Sequence, residues 1–223
     1  MLRLRSTRII FSWSLWLLLS TTLTLTLVAA EGGAQATIVA ANSSGAFGTP
    51  TINQLEANEQ LLAAAQINDI TAVNNALAHQ ADVNTLTAKG GTALMLAAQD
   101  GYTNLVRQLL AAGAKVNLQT PSGATALILA AQYGYPDVVR QLITAGADVD
   151  AKKIPSGATA LILAAQNGHV DIVRQLITAG ANVNSQIASG DTALMRTIEI
   201  ALIGSADIVQ MLLKAGADIN TSD

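Results

Sequence analysis

The sequence contains no cysteine, only 3% aromatic residues and only 12% charged residues in a chain of 223. Without cysteine the chain forms no disulfide, no thiolate metal site and no cysteine nucleophile. Hydrophobic residues nevertheless make up 51% of the chain. This apolar fraction serves two separate purposes, because one part lies in an N-terminal run and most of the rest in a repeated unit.

The N-terminal run has the form of an export signal. Three arginines precede an apolar run over residues 9–28 that Ser and Thr dilute, and small residues follow it. This order is typical of a cleaved signal peptide. We predict a signal peptide over residues 1–36, with cleavage after Ala36 and with Ala30 as the alternative site. An uncleaved membrane anchor over residues 9–28 is the other interpretation, because about twenty apolar residues span a bilayer.

Removal of this segment changes the charge and the aromatic content of the protein. It takes three of the 12 basic and one of the 15 acidic residues, and leaves nine against 14, a net charge of -5. An acidic protein with four remaining aromatic residues offers little to neutralise phosphates or to stack on bases, so we expect no nucleic-acid partner. We expect a periplasmic or secreted protein, and the form of the signal favours a bacterial envelope.

The next segment predicts a linker and then a helix. Residues 37–52 are rich in Asn, Ser and Gly and predict a flexible linker. Asn53 and Glu56 have the spacing of a capping box, which predicts a helix start near Gln54.

Copies of one unit organise residues 53–223. A phrase that begins Thr-Ala-Leu starts at Thr92, Thr125, Thr159 and Thr192, at spacings of 33, 34 and 33 residues. A second phrase, LVRQLLAAGAKVN in its first occurrence, follows each one, and a looser copy of both phrases precedes them. We therefore divide this region into five repeats, over about residues 53–84, 85–117, 118–150, 151–184 and 185–220.

Each repeat predicts two short helices. The Thr that opens the first phrase carries a side-chain oxygen that caps a helix N-terminus. The Ala pair in this phrase allows neighbouring helices to approach closely. One Gly follows the first helix, a second ends the second helix in the left-handed conformation, and a third supplies the turn into the next repeat. Helices this short are marginal alone in water, so stacking must bury them.

At these residues the sequence resembles the ankyrin-repeat family, whose unit of about 33 residues carries a T-P-L-H-x-A core. The resemblance covers roughly residues 54–220. It implies a mainly α fold, a solenoid of about five helix-turn-helix repeats with short inter-repeat β-turn fingers.

The sequence departs from the family pattern at three places. Ala followed by Met or Ile stands where the family has Pro and His, as at Ala93 and Met95, so the hydrogen bonds of that His are missing. Gln80 replaces the Gly that ends the second helix, which should strain or shift this helix end. Three extra residues lie within residues 196–203, where we expect a lengthened first helix or a bulged loop.

No motif in the sequence indicates catalysis. His79 and His169 lie in different repeats, too far apart to act together, at positions where the resemblance implies structural roles. The carboxylates are spread along the repeats, and several have the helical spacing of local pairs with Arg. We therefore expect no enzyme, no cofactor and no metal. A ligand or catalytic site at the irregular fifth repeat, around Arg196 and Glu199, is an alternative that predicts a closed pocket there.

The candidate partner-binding residues follow from the resemblance. It implies that the residues after each Ala pair face a concave surface, as do the tips of the inter-repeat turns. Hydrogen bonds from the Gln amides to neighbouring turns are the alternative. Tyr133 is the strongest single anchor, because aromatic residues dominate binding energy at interfaces; Tyr102 and Tyr135 should pack where the second helices start. The candidates are Gln66, Gln99, Asp100, Gln132, Tyr133, Gln166 and Asn167 after the Ala pairs, and Lys89, Ser122, Lys152, Lys153 and Ser189 at the tips.

We therefore predict an exported, non-enzymatic module that binds an unidentified protein through its concave face and turn tips. A membrane-anchored structural organiser that keeps residues 9–28 is the alternative. We expect a monomer, with self-association through the C-terminal repeat as the alternative, because Met211, Leu212 and Leu213 should be partly exposed or covered by another molecule.

Overall fold

A computed structural model describes residues 52–200 and 205–219 of the chain. Over these residues the chain forms ten α-helices in five pairs, which confirms the predicted helix-turn-helix repeats. The predicted signal peptide and nearly all of the linker lie outside the described residues. The first helices of the pairs are α1 (Ile52–Gln66), α3 (Ala93–Gln99), α5 (Ala126–Tyr133), α7 (Ala160–Gln166) and α9 (Ala193–Ile200). The second helices are α2 (Ile70–Ala78), α4 (Thr103–Ala111), α6 (Pro136–Thr144), α8 (Val170–Thr178) and α10 (Ser205–Lys214).

The helices form two layers with the core between them. Each first helix packs against the second helix of its own pair and against the neighbouring first helices, while α4, α6, α8 and α10 stack in the same order in the second layer. In α3, Leu94, Ala97 and Ala98 are fully buried, and their counterparts in α5 and α7 are buried as well. Helices of seven to nine residues owe their stability to this burial rather than to their own hydrogen bonds. None of the described helices has the length and apolarity needed to cross a membrane.

Threonine caps begin the first helices, as predicted. The side-chain oxygens of Thr92, Thr125 and Thr159 accept hydrogen bonds from the backbone N–H three residues later, at 3.2, 3.2 and 3.3 Å. Thr192 makes the same contact at 3.4 Å. All four threonines are buried, so water cannot replace the side-chain oxygen as the acceptor of this hydrogen bond.

Left-handed residues end the second helices. Gly113, Gly146, Gly180 and Gly216 have φ between 83° and 88°, and Gln80 has φ of 65° at the same position of the first repeat. The predicted strain at Gln80 is therefore present. The helix end is not shifted, because the N–H of the next residue donates to the second helix at 3.0 Å in the first repeat, as it does after Gly146.

Helix α1 begins at Ile52, two residues before the predicted start near Gln54; a capping preference of about 1 kcal/mol locates a helix boundary only to within a residue or two. One sequence prediction about the C-terminal end of the domain is wrong. Leu212 is fully buried, because it points into the core as Leu142 and Leu176 do in earlier repeats. Met211 is half-buried and Leu213 is 44% exposed, as expected.

The predicted β-turn fingers connect the repeats. In the finger before α3, Leu86 and Thr92 form an antiparallel bridge, and the N–H of Thr87 donates to Gly91 at 2.8 Å. The finger before α9 has the equivalent bridge. The inserted residues of the fifth repeat lie partly within 201–204, outside the described residues, so a lengthened helix or a bulge there stays a prediction.

Candidate partner-binding face

One side of the first-helix layer is not covered by another described helix. In α3, Leu96 and Gln99 are half-buried, whereas the other apolar residues of the helix are fully buried. Residues three apart share one side of a helix, so Leu96 and Gln99 point away from the core together. The same pattern recurs in α5 and α7, and Gln66 is exposed at the end of α1. We call this surface the glutamine–leucine face: Gln66, Gln99, Gln132, Gln166, Leu96, Leu129 and Leu163.

The sequence analysis did not single out the leucines of this face. The signal that identifies them is their spacing of three residues from each Gln. The buried Leu of the same phrase lies five residues before the Gln, on the opposite side of the helix. Leu96, Leu129 and Leu163 pack partly against the core and present the rest of their side chains to the free side.

The turn tips lie at the other end of the first helices. Each finger leads directly into a Thr cap, and α3 ends at Gln99, seven residues later. At 1.5 Å per residue, about 10 Å of helix separates the tips from the glutamines. The predicted binding residues therefore form two parallel rows with the leucines between them.

Backbone hydrogen bonds join the fingers before α5, α7 and α9. The N–H of Ile154 donates to the carbonyl oxygen of Ser122 at 2.7 Å, and the N–H of Ala188 donates to the carbonyl oxygen of Ser156 at 2.8 Å. Lys89, Ser122, Lys152 and Ser189 are exposed and Lys153 is half-buried. The backbone of the fingers is thus used for contacts between repeats, and the tip side chains remain accessible.

The side-chain amides of the four glutamines make no hydrogen bond within the described residues. Neighbouring turns therefore do not occupy them. The backbone carbonyl of Gln132, in contrast, accepts from Asn167 Nδ2 at 2.9 Å and lies 3.3 Å from His169 Nε2. Asn167, a predicted binding residue, thus uses its amide to join two repeats, and His169 has the structural role that we expected.

The three tyrosines divide as predicted. Tyr133 is 51% exposed next to Gln132. Tyr102 and Tyr135 are half-buried where α4 and α6 begin. The ring of Tyr135 covers Gly101, where a Cβ atom would lie 2.4 Å from the ring. Tyr133 is therefore the most exposed of the three tyrosines.

The charged residues pair locally. On the second-helix layer, Arg140 pairs with Asp137, and Arg174 pairs with Asp171 at 2.7 Å. These side chains are mostly exposed, and such pairs contribute about 0–1 kcal/mol each. The described residues contain no cluster of three acidic or histidine side chains that would suit a metal ion.

In the fifth repeat an ion pair stands in place of the leucine and the glutamine of the face. Arg196 stands where earlier repeats have Leu and lies 2.5 Å from Glu199, which stands where they have Gln; its guanidinium is also 3.8 Å from Asp191. The glutamine–leucine face therefore ends at this repeat. A closed pocket around Arg196 and Glu199 stays untested, because residues 201–204 lie outside the described part of the chain.

Two grooves lie away from the face. One of about 500 Å³ lies between α1 and α2 and has a mainly polar lining that includes Glu56 and His79. The other, of about 230 Å³, lies between α8 and α10 and includes Ile177 and Met211. The Nδ1 atom of His79 lies 2.8 Å from the carbonyl of Asn75, so this ring is already held by its own helix.

Comparison with known proteins identifies the repeat. A family model described as ankyrin repeats (3 copies) matches residues 61–153 and again residues 149–223. The chain belongs to the ankyrin-repeat family. No curated protein matches the chain. Ankyrin repeats generally act as protein–protein interaction modules and are typically non-enzymatic, so a protein is the class of partner for this domain.

An asparagine ladder fixes the spacing of the ankyrin repeats. The side-chain oxygen at the end of one repeat accepts the N–H of a residue near the end of the next, at 2.7 Å for Asn84, 2.8 Å for Asn117, 2.9 Å for Asp150 and 2.9 Å for Asn184. The sequence analysis did not identify this ladder. Because the same bond joins successive ankyrin repeats, the residues of the glutamine–leucine face recur at a regular spacing.

Proposed function

We propose that this protein is an exported, non-enzymatic ankyrin module that holds a protein partner against the glutamine–leucine face and the turn tips. The observation that carries the proposal is the row of four glutamine amides without hydrogen bonds to the described part of the chain, beside half-buried leucines and the exposed ring of Tyr133. Leucine contributes apolar contact, glutamine contributes directional donors and acceptors, and the stacked helices keep both rigid. Binding then rests on a few anchors on a prearranged support.

The binding surface is tested by substitution. Replacing Tyr133 and Gln132 with Ala should weaken capture of the partner at least about tenfold, because an aromatic anchor contributes about 2 kcal/mol or more. The matched control replaces Arg107 and Gln210, which are exposed on the second-helix layer, and should leave capture unchanged. Circular dichroism checks that both variants keep their helices. Equal capture by the face variant and the wild type would reject this surface.

Export is tested by the mature N-terminus. The proposal expects mass spectrometry of the protein from the exported fraction to find a chain that begins at or near Thr37. A chain that retains residues 9–28 and fractionates with membranes would instead support the membrane-anchored organiser.

A further inference from the structure

We propose that the glutamine–leucine face binds an extended segment of its partner in the polyproline II conformation, one turn of the segment for each ankyrin repeat. This inference rests on the proposed function and names the kind of segment that the face takes. Its first support is the spacing of the face. Packed helices lie about 8–10 Å apart; the first helices pack against one another in chain order, and their alanine pairs are buried.

A polyproline II helix matches this spacing. It has three residues per turn and rises about 3.1 Å per residue, so it presents the same side every 9.3 Å or so. A β-strand presents the same side every two residues, or about 6.7 Å, and loses register with the repeats. An α-helix repeats a side at about 10.5 Å over seven residues, but its backbone groups are already paired.

The chemistry of the face selects an unpaired backbone. Each glutamine amide carries two donors and an acceptor, and none of the four makes a hydrogen bond to residues 52–200 or 205–219. Polyproline II has no internal hydrogen bonds, so its carbonyls and remaining N–H groups are free to pair with such amides. The leucine row offers an apolar strip for one side chain per turn. The exposed ring of Tyr133 offers the kind of aromatic surface on which proline-rich segments pack.

The extent of the face sets the length of the segment. Four glutamines, from Gln66 to Gln166, span three intervals, which corresponds to about ten residues of polyproline II. The segment ends before the fifth repeat, where the Arg196–Glu199 ion pair replaces the leucine and the glutamine.

The test titrates a peptide of four Leu-Pro-Pro triplets into the protein. The protein is expressed from the full chain, labelled with ¹⁵N and used in the form in which it is purified from the expressing cell. Glutamine side-chain N–H groups give their own nuclear magnetic resonance signals, which single Gln→Ala variants assign. The signals of Gln99, Gln132 and Gln166 should shift saturably on titration, and those of Gln108, Gln141 and Gln175 in the second helices should not. A peptide of six Leu-Pro pairs has the same residue types with the wrong period and should bind at least about fivefold more weakly.

The variants separate recognition from stability. Replacing Gln99, Gln132 and Gln166 together with Ala should weaken binding of the triplet peptide at least about tenfold, since the substitutions remove three hydrogen bonds to the peptide backbone. The matched triple at Gln108, Gln141 and Gln175 should bind as the wild type does. Absence of saturable shifts up to millimolar peptide, equal binding of the two peptides, or equal loss in the two triples would overturn the inference. If capture of the natural partner still requires Tyr133 and Gln132 in that case, the proposed function stands and only the segment conformation is wrong.

Discussion

Replacing Gln80 with Gly should stabilise the first repeat. Gln80 has φ of 65° at the end of α2, where the other repeats have Gly. Its side chain is exposed, and its backbone carbonyl accepts a hydrogen bond from Gln54 Nε2 at 3.2 Å, a contact that glycine keeps. The substitution therefore removes backbone strain without removing a packed side chain.

The size of the effect follows from two opposing contributions. A left-handed backbone costs an L-residue about 1–2 kcal/mol. Glycine loses more conformational freedom on folding, which costs about 0.5–1 kcal/mol. We expect a net gain of about 0.5–1 kcal/mol in the free energy of unfolding, measured by urea denaturation followed by circular dichroism. Hydrogen exchange should show the gain at the amide of Ala81, which donates to the end of α2.

Two controls isolate the backbone contribution. Gln80→Ala keeps the left-handed strain and should change stability by less than about 0.5 kcal/mol. Gly146→Gln is the reciprocal change, at φ of 83° and with no atom within 4 Å of the added Cβ, so it should destabilise by about the amount that Gln80→Gly gains. If Gln80→Gly has no effect while Gly146→Gln destabilises, the local backbone of the first repeat is not strained and the reasoning is refuted.

Three further substitutions test the packing between and within repeats, each by urea denaturation. Thr125→Val removes the cap of α5 and should cost about 1 kcal/mol; an unchanged midpoint would mean that the buried N–H finds another acceptor. Gln141→Met should stabilise by about 1 kcal/mol, because Gln141 Oε1 is buried without a partner and the fifth repeat has Met at this position; a loss of stability would show that the amide is satisfied in solution. Gly101→Ala should lower the free energy of unfolding by about 2–5 kcal/mol, because of the left-handed backbone and the clash with the Tyr135 ring. Gly113→Ala, with open space around its Cβ, should lower it by only about 1–2 kcal/mol. Equal losses would show that the Tyr135 ring moves aside at little cost.

Much of the fold could be predicted from the sequence because each local signal occurs several times, once in each repeat. A single Thr before an apolar run is weak evidence for a cap, but four at spacings of 33 or 34 residues fix the start of four helices. Helix α1 is the contrast. The Thr-Ala-Leu phrase does not precede it, so its start near Gln54 was predicted from the single capping spacing of Asn53 and Glu56, and the helix begins two residues earlier, at Ile52.

Only part of the candidate binding face could be predicted from the sequence. The glutamines were predicted through the family resemblance, whereas Leu96 and its counterparts were not singled out. An apolar residue in a short helix does not show which side it faces until the stacking order of the helices is known. The ladder of Asn84 and its counterparts was missed for the same reason, since its bonds join residues 31 to 34 positions apart.

The asparagine ladder also bears on how this protein can evolve. Because each bond joins a position in one repeat to the equivalent region of the next, a duplicated or deleted repeat would find matching partners on both sides. The third and fourth repeats, which are nearly identical from Thr125 and from Thr159 onward, are the natural units for such an event. Recombination within the gene would then lengthen or shorten the glutamine–leucine face by one glutamine and one leucine at a time, while the contacts of the core stay the same.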